Sequence, residues 1–308
     1  MSMPAFVPSP DAPGRTVLAD VAEPEPAADE ALVAVEAYSI NRGEIFLLEA
    51  PRDGWRPGQD VAGRVERAAA DGSSPPPGTR VVAHPPSGGW ASQVAVPTDA
   101  LAAIPDDVPA TTASTLGVAG LTALRLLRSA GSVAGKRVLL TGASGGVGHF
   151  VVELAAAQGA LGTAVSSSPE RGERLLALGA AEVVADVETA EGPFDLVLES
   201  VGGASLTAAL ARTARHGKVI WFGQASRQPA TIDFFSVVGT ATYASIVPFT
   251  YWRTGASDAD DLATLVRLVA AGRLHPEIGL VADWHETPAA LIALRERRVR
   301  GNAVLTVG

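Results

Sequence analysis

The chain has 308 residues, 47% hydrophobic and 19% charged, enough for one large folded body or two ordinary ones. A net charge of −9 and a pI near 5.1 argue against a sequence-independent nucleic-acid binder and against attraction to an anionic membrane, since both need basic surface. The chain has no cysteine, which excludes disulfides, Cys-ligated zinc and thiol catalysis.

The opening "MSMPAFVPSPDAPGR" lacks the basic start and apolar run of a secretory signal. No apolar run reaches membrane-spanning length, so a cytoplasmic protein is expected. The first third then reads as β-rich. "EALVAVEAYSI" is a strand ending at Asn41, and "GQDVAGRVERA", "PPPGTRVVAH" and "GGWASQVAVP" each give a short strand with Gly or Pro punctuation. Close spacing of short strands points to a small barrel or folded sheet. "TTASTLGVAGLTALRLLRSAG" has a helical pattern closed by Gly131.

Strands and helices alternate from there. "KRVLLTG", "LGTAVSSS", "AEVVAD", "FDLVLESVG" and "GKVIWFGQ" read as strands, and "GVGHFVVELAAAQG", "PERGERLLALG" and "ASLTAALARTAR" as helices. Such alternation implies a parallel sheet wrapped by helices. The carboxyl end reads as the helices "DDLATLVRLVAAGRL" and "PAALIALRERR", then a strand, "GNAVLTVG".

Two motifs overlap after the strand "RVLL". Gly142-Ala143-Ser144-Gly145-Gly146 fits G-x-S-x-G, the turn that presents a serine nucleophile. Ala143 to Gly148 nearly fits G-x-G-x-x-G, the turn that cradles a dinucleotide pyrophosphate, with alanine at the first glycine position. A hydrolase needs several strand–helix units before its nucleophile, and here short strands and turns precede it. Its candidate partners, Asp283 and His285, lie almost side by side in sequence. The dinucleotide reading has its full context of strand, glycine turn and helix, with free N–H groups at the helix start for phosphate.

The end of the next strand selects the cofactor. An acid there binds the ribose hydroxyls of NAD. This chain has Ser166, Ser167 and Ser168, then Arg171 and Arg174. Hydroxyls and a guanidinium suit a 2′-phosphate, so NADPH is expected.

"AYSINRGE", "GQDVAGRV", "GGWASQVAV", "GVAGLTAL", "VLLTGASGGVG", "LGAAEVV", "ESVGG" and "RRVRGNAVLTV" occur in that order. Together they resemble a zinc-independent medium-chain dehydrogenase/reductase of the quinone oxidoreductase type, over almost the whole chain. The resemblance implies an α/β protein with a Rossmann doubly wound parallel sheet and a β-rich GroES-like substrate domain. It implies a substrate domain over 1–112 and 258–308 and an NADPH-binding domain over 113–257. Zinc-dependent relatives carry a cysteine in the loop matching Asn41 to Glu44 and a histidine at the position of Gln59; this chain has neither.

Carried over residue by residue, the resemblance assigns Ser144, Gly145, Gly146 and Val147 to the pyrophosphate. Ser166, Ser167 and Arg171 fall to the 2′-phosphate region. Val201, Phe222 and Gly223 fall at strand ends facing the cofactor, and Thr122 near the nicotinamide. Asn41 matches the asparagine beside the reacting centre. Phe46 stands where related reductases often have tyrosine, and Asn302 where many have a lysine near the cofactor. Tyr38 is a second hydrogen-bonding candidate, or else a strand-core aromatic.

The expected activity is NADPH-dependent hydride transfer to a quinone or an α,β-unsaturated carbonyl without zinc. Asn41 and Tyr38 would meet the charge on the carbonyl oxygen. An enoyl-thioester reductase is an alternative, although "IFLLEAPRDGW" offers no catalytic tyrosine. A non-catalytic NADPH-binding sensor or structural protein is another. A small-molecule substrate and a homodimer are expected partners, with neither nucleic acid nor membrane.

Overall fold

The strand Glu30–Ile40 spans 11 residues because its β-branched and small side chains alternate around a buried face formed by Ala31, Val33, Val35 and Ala37. It pairs antiparallel with Asn302–Thr306, Val61–Arg67 and Gln93–Pro97. The sheet continues through Ile278–Asp283 on one side and Arg80–Ala83 and Leu101–Ala103 on the other. Phe6, Tyr38, Trp90, Leu48 and Trp284 fill its core. This sheet belongs to the first of two units in the computed structural model, which describes residues 1–239 and 241–308. The units are Met1–Leu121 with Gly255–Gly308, and Thr122–Thr254.

The helix expected from Thr111 to Gly131 is broken. Helical turns at Ala110–Ala113 and Ser114–Leu116 end at Gly117, and a new helix runs Val118–Ala130. The cause lies in another strand's loop. Asp60 Oδ1 accepts the Val118 N–H at 2.6 Å, so the carboxylate caps a fresh helix start. A Cβ at Gly117 would lie 2.1 Å from that same oxygen, so only glycine admits the acid.

The second unit is a six-stranded sheet in the order Glu182–Val184, Leu161–Val165, Arg137–Leu140, Phe194–Glu199, Thr213–Trp221, Ser245–Pro248. Every pairing in it is parallel. Helices Gly146–Ala157, Pro169–Ala177 and Ala204–Ala211 supply crossovers. Strand order reverses between Arg137–Leu140 and Phe194–Glu199, the topological switch point of a doubly wound Rossmann sheet.

Several elements depart from the sequence reading. The helix beginning at Ala204 stops at Ala211, and Thr213 already pairs with Phe194 in the sheet. The hairpin Ser2–Pro8 with Thr16–Ala22 was hidden by its prolines, which fit here because the pair stands as a two-stranded sheet. The short helix Arg42–Leu47 and the edge strands Ser245–Pro248 and Ile278–Asp283 are further additions. Among the described residues, no helix is long and apolar enough to cross a membrane.

Candidate dinucleotide cradle and buried acid cluster

In the second unit, the predicted cofactor residues gather at the carboxyl ends of the parallel strands. Gly142, just beyond Arg137–Leu140, has φ of +64°, and a Cβ there would meet Ser200 Oγ at 2.5 Å. Gly148 packs the helix onto its strand, since a Cβ would lie 2.3 Å from Ala143 O. Gly145 is the N-cap of Gly146–Ala157 and brings no side chain to the first-turn N–H groups. Those donors of Gly146, Val147 and Gly148 lack intrahelical acceptors and carry the positive end of the helix dipole. The turn therefore fits a pyrophosphate: a helix start kept open by glycine and aimed out of the strand ends.

Ser144 is half-buried, and its hydroxyl pairs with that of Ser166 at 2.6 Å. Ser166, itself buried, also reaches Ser168 O at 3.3 Å. The hydroxyl beside Ser144 is thus another serine, whose pKa does not suit it as a general base. Ser167 is exposed, and Arg171 is half-buried on the helix Pro169–Ala177, whose first turn holds Pro169. Val201, Phe222 and Gly223 follow the next two strands. Gly223 lies so close to Ser200 that a Cβ would sit 2.8 Å from its carbonyl oxygen. Thr122 is buried on Val118–Ala130.

One residue that binds this rim together went unread in the sequence. Glu199, fully buried, accepts the N–H groups of Val201 and Gly202 at 3.0 and 2.9 Å and the hydroxyls of Thr141 and Ser205 at 3.1 and 2.9 Å. Ser200 N–H in turn donates to Thr141 Oγ1 at 2.9 Å. The carboxylate thus pins both sides of the switch point. Its signal was an acid ending the apolar run "FDLVL" just before "SVGG".

In the first unit two acids, Glu44 and Asp60, have no exposed surface. Asp60, with no exposed surface, accepts from Ser39 Oγ at 2.8 Å and Asn41 Nδ2 at 2.7 Å through Oδ2, and from Val118 N–H through Oδ1. His84 Nδ1 lies 3.6 Å from Asp60 Oδ1 and 2.7 Å from Gln59 O. Burial pulls the His84 pKa down, but the hydrogen bond and charge of Asp60, with Asp258, leave it raised overall. Glu44 accepts the N–H groups of Asn41 and Gly58 at 2.9 Å each. Burial, with Asp60 nearby, pushes its carboxyl up to about 8 despite those donors. Asn41 itself stays half-exposed as the N-cap of Arg42–Leu47.

One expectation needs correction. Tyr38 is a strand-core aromatic: it is fully buried, stacks on Trp90 with ring centroids 5.8 Å apart, and shares a 2.6 Å hydrogen bond with Thr287 Oγ1. Burial raises its phenol above the ordinary range. Alternation along Glu30–Ile40 does not foretell this, because the last four residues of the strand are all buried. Asn302 is buried in the first unit, and its backbone and side-chain nitrogens both donate to Glu277 O, at 2.8 and 3.0 Å. Asp283 and His285 form an exposed turn, with His285 Nδ1 2.6 Å from Asp283 Oδ1.

Comparison with known proteins bears on this arrangement. Residues 27–106 match the alcohol dehydrogenase GroES-like domain, and residues 178–305 match the family described as zinc-binding dehydrogenase. Among the described residues, no group of three or more His, Cys, Asp or Glu side chains is arranged to hold a metal. The quinone oxidoreductase of Sus scrofa is 32% identical over 253 residues, 73% of this chain and 75% of that protein. That of Pongo abelii is 29% identical over 294 residues, 87% of each chain. The quinone oxidoreductase from Coxiella burnetii superposes with a TM-score of 0.87 at 23% identity, over 100% of both chains. Escherichia coli quinone oxidoreductase complexed with NADPH does so at 0.87 and 20% identity, over 99% of this chain and 100% of that one. By sequence likeness along most of its length, and by a Rossmann sheet joined to a GroES-like unit, the chain belongs to the medium-chain dehydrogenases/reductases, among the oxidoreductases of quinone oxidoreductase type.

Proposed function

We propose that the protein is an NADPH-dependent reductase that acts on a quinone or an α,β-unsaturated carbonyl without zinc. The observation that carries this reading is the glycine turn at the switch point, opening into a helix start with Ser144 and Ser166 paired beside it. NADPH, when bound, supplies the hydride. Gly146 and Val147 offer N–H groups to the pyrophosphate, Gly145 lets it approach the backbone, and Ser144 offers a hydroxyl. Ser166, Ser167 and Arg171 stand where an acid would favour NAD, and so favour the 2′-phosphate. Val201, Phe222, Gly223 and Thr122 border the nicotinamide end. In the first unit, Asn41 donates a hydrogen bond to the substrate oxygen on which charge develops.

Donor chemistry supports zinc independence: the chain has no cysteine, and Gln59 stands where zinc-dependent relatives carry a ligand. A homodimer has a candidate surface in the edge strand Ser245–Pro248, all four residues of which are exposed. We place the protein in the cytoplasm. NADPH oxidation is expected to start when a simple quinone or enone is added and to survive exhaustive chelation. NADPH binding without turnover on any such acceptor would favour the sensor reading, and activity that returns only with added zinc would refute zinc independence.

A further inference from the structure

Asn41 has one freedom that a substrate-binding amide must not keep: its carboxamide can rotate by a half turn, exchanging donor for acceptor. The surroundings remove that freedom. Asp60 as a carboxylate has no hydrogen to give, so Asn41 must present its NH2 group to Oδ2, at 2.7 Å. The same oxygen takes the Ser39 hydroxyl at 2.8 Å, and Oδ1 takes the Val118 N–H. Ser39 N–H also donates to the Asp60 carbonyl at 3.2 Å, which ties the two backbones together. Asp60 is buried completely.

From this geometry we propose that Asp60 is the positioning residue for Asn41. Its carboxylate, on the side opposite the Glu44 N–H that the Asn41 side chain accepts in its capping box, holds the flip state of the carboxamide, so that the second Nδ2 hydrogen is ready to donate to a substrate oxygen. The inference rests on the reductase reading for its kinetic consequence, but not for the orientation itself. Asp60 also caps the helix on which Thr122 lies one turn beyond Val118. The role of Asp60 is therefore exerted through neighbours and not by touching substrate.

Asp60→Asn tests the proposal. The new amide keeps the carbonyl oxygen for one side of the site only. With Val118 N–H retained as its donor, an NH2 group faces Asn41, which then turns its own oxygen inward. The variant is expected to fold and to keep its NADPH affinity, while kcat falls about ten-fold or more, the scale of a charged hydrogen bond, and KM changes less. The kinetic half is paired with a readout that needs no turnover, the Asn41 side-chain amide protons in 15N-correlated NMR spectra, assigned by their loss in Asn41→Ser. In the wild type, one of the two is expected to be shifted and protected from exchange, and Asp60→Asn should remove that protection.

If Asp60→Asn does not fold, the wild-type spectrum alone decides: two Asn41 amide protons exchanging as freely as solvent-exposed ones overturn the proposal. Resonances unmoved by Asp60→Asn overturn it too, as does a loss of kcat that tracks a loss of NADPH affinity. If the wild type binds NADPH but reduces no quinone or enone, the functional reading fails, and the amide protons still decide whether Asp60 orients Asn41.

Discussion

Asp60 and Glu44 sit at the two ends of one hydrogen-bonded chain through Asn41, and their donors differ. Asp60 is met by a hydroxyl, an amide and a backbone N–H. Glu44 has backbone donors only, and burial drives its carboxyl up to about 8 from an ordinary value of 4.5. A carboxyl raised in this way keeps its proton in the fold after the unfolded chain has released it. Its contribution to stability is therefore complete below about pH 4.5 and is lost as the pH rises toward 8, beyond which the native form has ionised as well. His84, also raised, contributes in the same sense through its own range. Glu44→Gln cannot titrate, so its stability relative to the wild type is expected to improve with rising pH across that window, by about 1 kcal/mol per pH unit. Urea unfolding of both proteins across the window measures this, and a pH-independent difference would show that Glu44 is ionised in the fold throughout.

Among the elements, those legible in the sequence were the ones whose signal is local. Alternation in "EALVAVEAYSI" and the strand–glycine–helix unit at "VLLTGASGGVG" contain their own evidence, and the parallel Rossmann sheet and GroES-like unit follow from them and from the family's motifs. What stayed hidden depends on partners remote in sequence. Gly117 breaks a helix only because Asp60 occupies its Cβ position. Tyr38 is closed off by Trp90 and Thr287, and Asn302 donates to Glu277 O. Glu199 reads as an ordinary strand end until Thr141, Ser205 and two glycine-loop N–H groups converge on it. The strand Ser245–Pro248 was missed because it is short and wholly exposed, pairing among the described residues only with Thr213–Trp221. Its free edge, with Ile246 and Val247 exposed, invites a second copy of the chain, for an edge strand that meets itself across a twofold axis pairs antiparallel. Sedimentation is expected to show a dimer for the wild type and a monomer of unchanged NADPH affinity for Ile246→Lys. A wild-type monomer, or a variant that stays dimeric, would assign that edge another role.

Across the whole molecule, two units divide the chemistry. The first buries Asp60 and Glu44 around Asn41, and the second gathers glycines, serines and one arginine at the carboxyl ends of a parallel sheet. That division suits a protein whose substrate and cofactor make different demands: an oriented neutral donor for one, an open helix start for the other. An acidic chain of net charge −9 has to draw a polyanion by such a local site and not by its overall field. The proposed cofactor choice is therefore open to a direct test at Arg171, the residue proposed to favour NADPH over NADH. Calorimetric titration of the wild type and Arg171→Ala with both nucleotides is the most direct measurement. The wild type should bind NADPH more tightly than NADH, and Arg171→Ala should lose about ten-fold or more in NADPH affinity while its NADH affinity stays the same. Equal losses for the two nucleotides, or a wild type that binds neither, would contradict the assignment of the Ser144–Arg171 rim to a 2′-phosphorylated dinucleotide.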